Sequence, residues 1–155
     1  MTLWAVSITL TECGLDNVYL VNGFRHEESA QGKIVRIDDL DGLLGAIAEH
    51  LVFGKRTLMG REIRFLRHHL NLSQRALGTL LAVDEQTVAR WEKEKTKVDG
   101  AAERMIRLMC AEQMQRGSSI QAFLRDLAAL EDQAGDVAVN KEESGGGWHL
   151  VQKAA

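Results

Sequence analysis

The chain has 155 residues but only two cysteines, Cys13 and Cys110, no proline and no long apolar run. Each absence removes a class of function. Two cysteines cannot supply a four-cysteine zinc site within one chain. Mixed ligation would have to draw on His26, His50, His68, His69 and His149. No Cys-x-x-Cys or His-Glu-x-x-His spacing organises them, and the adjacent His68 and His69 would point different ways on a helix. A Cys-His nucleophile pair has no signature around Cys13. Gly145-Gly146-Gly147 lacks the strand and the Gly-Lys-Ser/Thr ending of a phosphate loop. The apolar opening MTLWAVSITL covers about ten residues with no basic residue before it, too short and too poorly flanked for a signal peptide or a membrane span, and it reads as a strand. No catalytic residue, metal or cofactor is expected, and the localisation expected is cytoplasmic, on the nucleoid.

There is also no overall basic excess, since the net charge is −3, but the charge is unevenly spread. Residues 55–107 hold twelve Lys or Arg against seven Asp or Glu. Residues 1–54 hold three against eight, and residues 108–155 four against seven. A basic centre between acidic ends suits a nucleic-acid-binding domain carried between partner-facing segments.

That basic centre contains LNLSQRALGTLLAVDEQTVARWEKEKTK, residues 70–97, which reads as two short capped helices joined by a tight turn. Ser73 can accept from the open amides of a first helix, whose apolar residues are Ala76, Leu77, Leu80 and Leu81. Asp84 opens a second helix with Val88 and Trp91 on its buried face. On the opposite face lie Glu85, Gln86, Thr87 and Arg90. A helix entering the major groove reads bases with such residues: Arg for guanine, Gln for adenine, Glu for cytosine. An ordinary solvated helix face also favours Glu, Gln and Arg.

The segment LSQRALGTLLAVDEQTVARWEKEKTK resembles the helix-turn-helix of the Cro and phage-repressor class, the XRE family. The resemblance spans about fifty residues, Leu58 to Met109. The flanks GREIRFLRHHLNLSQ and GAAERMIRLMC are most similar to the DNA-binding half of MqsA-type antitoxins. The resemblance implies that Gln74 holds the phosphate backbone and that Gln86 and Arg90 reach bases. The chain departs from the pattern at Glu94, where that family has Gly, and in lacking a Pro in the following segment. It also lacks the two Cys-x-x-Cys pairs of the family's N-terminal zinc module.

Ser73, Gln74 and Arg75 stand where open amides and the helix dipole favour a phosphate. Lys93, Lys95, Thr96 and Lys97 follow the second helix and are placed to lie along the adjacent backbone, adding affinity that falls with salt. Base choice is assigned to Glu85, Gln86, Thr87 and Arg90.

The expected fold is mainly α with a small N-terminal antiparallel β-sheet, an α+β chain carrying a helix-turn-helix. A β-rich module spans residues 1–54, with strands at Val18–Val21 and Lys33–Ile37. A helix from Leu40 to Phe53, capped by Asp38 or Asp39, completes it, with Gly42 and Gly45 weakening it or allowing close packing. The DNA-binding domain spans residues 55–115 and ends in a helix from Gly100 to Met114, with Asp99 as cap and Ala102, Met105, Ile106 and Met109 inward. Gly117 breaks that helix, and a further one, over residues 116–134, begins at a Ser118–Gln121 capping box. It carries the stripe Ile120, Phe123, Leu124, Leu127 and Leu130, read either as intramolecular packing or as a dimer seam. Residues 135–155 form an acidic Gly-rich tail, flexible by composition, in which residues 147–151 suit a short strand that adds to the N-terminal sheet or docks on a partner.

The function expected is that of a sequence-specific, dimeric DNA-binding repressor of a palindromic double-stranded operator. The resemblance implies an antitoxin that neutralises a cognate toxin and represses their shared promoter. The alternative is a protein-interaction module whose helix-turn-helix does not read DNA.

Overall fold

The helices whose starts were marked by Asp39, Ser73, Asp84 and Asp99 begin there in the computed structural model, which describes residues 8–114, 120–130, 136–143 and 145–151. The fold is α+β. The chain divides into two compact units, Met1–Ala46 with Gly135–Ala155, and Ile47–Ala134. The division thus falls inside a helix, α1 (Leu40–Glu49), rather than after residue 54 as the composition suggested.

In the first unit, a four-stranded sheet has the order β1-β2-β5-β6, from β1 (Ile8–Thr9), β2 (Val18–Leu20), β5 (Val137–Lys141) and β6 (Trp148–Val151). β1 is antiparallel to β2 and β6 is antiparallel to β5, but β2 and β5 run parallel, with Val18 opposite Val137 and Leu20 opposite Val139. The tail is therefore not a separate segment. Its VAVNK stretch is a strand that the sequence reading missed, and it supplies half of the sheet's interior. Leu10, Leu15, Val18, Leu20, Ala138, Val139 and Trp148 are buried there. The expected strand at the very start is described only at Ile8–Thr9, since residues 1–7 lie outside the described residues.

Polar contacts fasten the tail. The Asn22 side chain clasps the Lys141 backbone at both ends, donating Nδ2–H to its carbonyl at 3.0 Å and accepting its N–H at Oδ1 at 2.5 Å. Trp148 donates its indole N–H to the Asp39 carbonyl at 3.1 Å. Gly23, at φ 75°, lies so close to the Trp148 ring that a Cβ would sit 2.5 Å from it. A second sheet is the antiparallel hairpin of β3 (Phe24–Ser29) and β4 (Gly32–Ile37). The sequence indicated β4 but not β3, whose charged RHEE run lacks strand composition.

α1 opens on Asp39, whose carboxylate accepts the Gly42 amide at 3.1 Å. A Cβ at Gly42 would run into that carboxylate, so glycine here admits the cap. The helix ends earlier than expected and passes into one wider π turn, His50–Gly54.

The second unit is helical: α2 (Gly60–His69), α3 (Gln74–Leu81), α4 (Glu85–Glu92), α5 (Gly100–Gln113) and α6 (Ile120–Ala129). Its core includes Val52, Leu58, Ile63, Leu66, Leu77, Val88, Trp91, Ile106 and Cys110. In α5 the inward face is rotated from the expected one. Ala102 and Ile106 are buried, but Met105 is 47% exposed, Met109 is half-buried, and the charged Arg107 is buried. The cause is the π turn. Arg107 donates to the carbonyls of Leu51 and Val52 in the turn and of Lys55 and Arg56 just after it, and Glu103 one turn back balances its charge at 2.6 Å.

On α6, Phe123 and Leu127 are buried inside the unit, Phe123 edge-on to Phe53 with centroids 5.5 Å apart. Leu130 is half-buried just beyond the helix. Gly117, Ser118 and Ser119, and the side chains of Ile120 and Leu124, lie outside the described residues. Among the described residues no helix is long and apolar enough to cross a membrane.

Candidate nucleic-acid interface

α3 and α4 are joined by a turn only three residues long, and its geometry follows from two small residues. Ala82 takes the left-handed conformation at φ 58° that turns the chain out of α3. Gly78 lets the returning chain pass, because a Cβ on it would sit 2.7 Å from the Val83 carbonyl. Caps fix both helix starts: Ser73 Oγ accepts the Ala76 amide at 3.0 Å, and Asp84 Oδ1 accepts the Thr87 amide at 2.6 Å and the Thr87 hydroxyl at 2.9 Å. Those two bonds from Thr87 hold the Asp84 carboxyl below the usual aspartate range.

With Val88 and Trp91 buried, α4 turns Glu85, Gln86 and Arg90 outward, and all three are exposed. Gln86 and Arg90 are one turn apart and share a face. Thr87 is half-buried and its hydroxyl is spent on the cap, which leaves its methyl group as the part that can contact a base. Arg75, Lys93, Lys95, Thr96 and Lys97 are exposed, and Ser73 is exposed at the mouth of α3. The loop after α4 carries Glu94 at φ 56°, the left-handed region glycine favours. The resemblance placed a glycine at this position, and the backbone here takes the conformation glycine is used for.

Gln74 is placed differently from its assigned role. It is half-buried and donates Nε2–H to Glu92 at 2.8 Å. Glu92 in turn receives a two-pronged contact from Arg67 on α2, at 2.5 and 3.1 Å, with side chains 8% and 4% exposed for Arg67 and Glu92. Arg67 also donates to the Leu72 carbonyl at 2.9 Å. This Arg67–Glu92–Gln74 network ties α2, α3 and α4 together and was missed from the sequence. Its one visible signal was a glutamate ending the apolar face of α4, right after Trp91. Glu92 is therefore neutralised inside the unit.

α2 approaches α4 closely at its own start, where a Cβ on Gly60 would collide with the Trp91 carbonyl. Beside this contact is a cleft of about 270 Å³ lined by Leu58, Gly60, Trp91, Lys95, Thr96 and Lys97 among others. Near the end of α2, burial holds His69 below the ordinary histidine range, and it does the same to His68 with help from Arg67 and Arg64. Burial, then Lys55, lowers His50. Burial pushes the Cys110 thiol up to about 12, which makes it inert. Among the described residues no cluster of three His, Cys, Asp or Glu could hold a metal ion.

Comparison of the chain with protein-family models, with curated proteins and with solved structures found no match.

Proposed function

We propose that the chain is a sequence-specific DNA-binding regulator, a dimeric repressor, and that α3 and α4 are its helix-turn-helix. The observation that carries the reading is the division of α4 into two faces. Val88 and Trp91 anchor it, while Glu85, Gln86 and Arg90 stand exposed on its first two turns, between the exposed cations Arg75 on one side and Lys93, Lys95 and Lys97 on the other. Base-reading side chains flanked by phosphate-binding ones are what major-groove recognition requires. The basic balance of residues 55–107 in an acidic chain adds to this, as does the resemblance to the XRE family. The resemblance also carries the narrower reading, an MqsA-type antitoxin that represses its own promoter and binds a cognate toxin through its other unit. The place of action is then the nucleoid, and no enzymatic step is assigned.

Roles within the site follow exposure. Arg90 and Gln86 carry base choice, with Glu85 selecting cytosine or rejecting its alternatives. Arg75 and the Lys93–Lys97 loop set register and affinity. Gln74 acts indirectly, by holding Glu92 and so the pitch of α4. Arg90→Ala is expected to weaken binding to the true site by about 1–3 kcal/mol and to relax preference at one base pair, read by titration against a panel of single-base variants. An equal loss on random DNA overturns the base contact. Lys95→Ala is expected to weaken all sequences alike and to flatten the salt dependence.

A further inference from the structure

The hairpin of β3 and β4 is an unfinished sheet. Of its twelve strand residues only Phe24, Glu27 and Ile37 are even half-buried, and Ile34 and Val35 are 42% and 45% exposed. A lone two-stranded hairpin is marginal in water, and a third strand is the usual remedy. Among the described residues no other strand pairs with either of its edges.

The register shows which backbone groups are open. Gly23 accepts the Asp38 amide at 2.8 Å, and pairing continues with Arg25 opposite Arg36 and Glu27 opposite Ile34. In an antiparallel ladder, hydrogen-bonded pairs alternate with non-bonded ones. The odd residues of β3 therefore bond to β4, and Phe24, His26 and Glu28 turn their N–H and C=O groups outward. The same alternation leaves Lys33, Val35 and Ile37 with outward groups on β4.

We propose that a second copy of this chain pairs with β3, antiparallel, with His26 opposite His26 of the second copy. A two-fold axis through a sheet keeps each face on its own side, so opposed residues must share parity. The register about His26 meets that condition. It also sets Phe24 opposite Glu28 of the second copy, so that every outward group of Phe24, His26 and Glu28 finds a partner. Charge selects this edge. Arg25 lies directly across from Arg36 within the hairpin, a like-charge pair. Within the hairpin Arg25 meets Asp38 at 3.2 Å; in the proposed dimer it also faces Glu27 of the second copy, and the reverse, so two further opposite-charge pairs are created across the seam. Glu27 already meets Arg36 at 3.0 Å and has acceptor capacity for a second cation. Pairing through β4 gains nothing comparable, because Lys33 and Arg36 are both cationic and that strand has no anion.

This inference names the surface of the dimer proposed above, and it is tested without DNA. Sedimentation of the full chain across micromolar concentrations should show a monomer–dimer equilibrium. Arg25→Glu should weaken dimerisation by about tenfold or more, since both pairs turn repulsive. The double variant Arg25→Glu with Glu27→Arg should restore it. His26→Pro should abolish it while the hairpin persists by circular dichroism, because the lost N–H is one that faces away from β4. A dimer indifferent to Arg25→Glu and His26→Pro retains the dimeric reading but overturns this surface, as does failure of the double variant to recover. A monomer throughout overturns both.

Discussion

The two units of this chain are built by opposite strategies. The helical unit, residues 47–134, is assembled from neighbours in sequence: α3, α4 and α5 each start at their own cap, and turns of a few residues connect α2, α3 and α4. The β unit is assembled from the two ends of the chain. Its central strand pair joins Val18–Leu20 to Val137–Val139, and its polar clasp joins Asn22 to Lys141, 119 positions away. Local rules therefore govern the first unit and loop closure governs the second. The DNA-reading role proposed for α4 would benefit from the first strategy, because rigid, locally specified helices hold side chains to the tolerance that base recognition demands.

Substitutions can break this comparison at either end. The largest effect is expected from Arg67→Ala, which leaves Glu92 as a buried charge without its cation and should cost about 3–5 kcal/mol, read by urea denaturation followed by circular dichroism. If the loss is below about 1 kcal/mol, the network is not what joins α2 to α4. Trp148→Ala should be of similar size, about 3–5 kcal/mol, through lost packing and the lost bond to Asp39. Its signature should differ: hydrogen exchange should rise in β2, β5 and β6 and stay unchanged in α2 to α5. Exchange rising equally in both units would mean that they unfold as one.

Gly78→Ala comes next, at about 1–3 kcal/mol, since its Cβ would press on the Val83 carbonyl. This variant sharpens the comparison, because it disturbs the angle of α4 without touching any exposed side chain; DNA binding should fall along with stability.

The smallest effect is on pH dependence. His50, His68 and His69 are all held below the ordinary histidine range, so the folded state binds fewer protons than the unfolded one. Their contribution is intact above about pH 6.5 and is lost progressively as pH falls below it. The melting temperature should decline through that window, and His50→Gln should make the decline shallower. A melting temperature flat down to pH 5 would contradict the assignment.

The same contrast explains what could be read in advance. Ser73, Asp84 and Asp99 each announced a helix because a capping side chain acts on amides two or three residues away. Val88 and Trp91 were legible as a buried face for the same reason. The four-stranded sheet was only half legible: VYLV has strand composition, but nothing in it points to VAVNK as a parallel neighbour. Met105 and Met109 were expected inward on α5, but the chain after α1 presents Arg107 with a set of carbonyls that no local pattern reveals, and Arg107 is buried instead. In the candidate site, the exposed residues of α4 were identified from their spacing. Gln74 was assigned outward because its inward partner, Glu92, is eighteen positions away.

The regulatory role proposed for this chain depends on α4 reading DNA bases. Its most direct test is fluorescence anisotropy of the full chain on duplex DNA from upstream of its own gene and on a scrambled duplex, each across a salt series. Base reading by α4 predicts tight binding to the first alone, with affinity falling linearly in log salt. Equal weak binding to both, or none to either, would contradict it, and the paired helices would then be a scaffold for a protein partner.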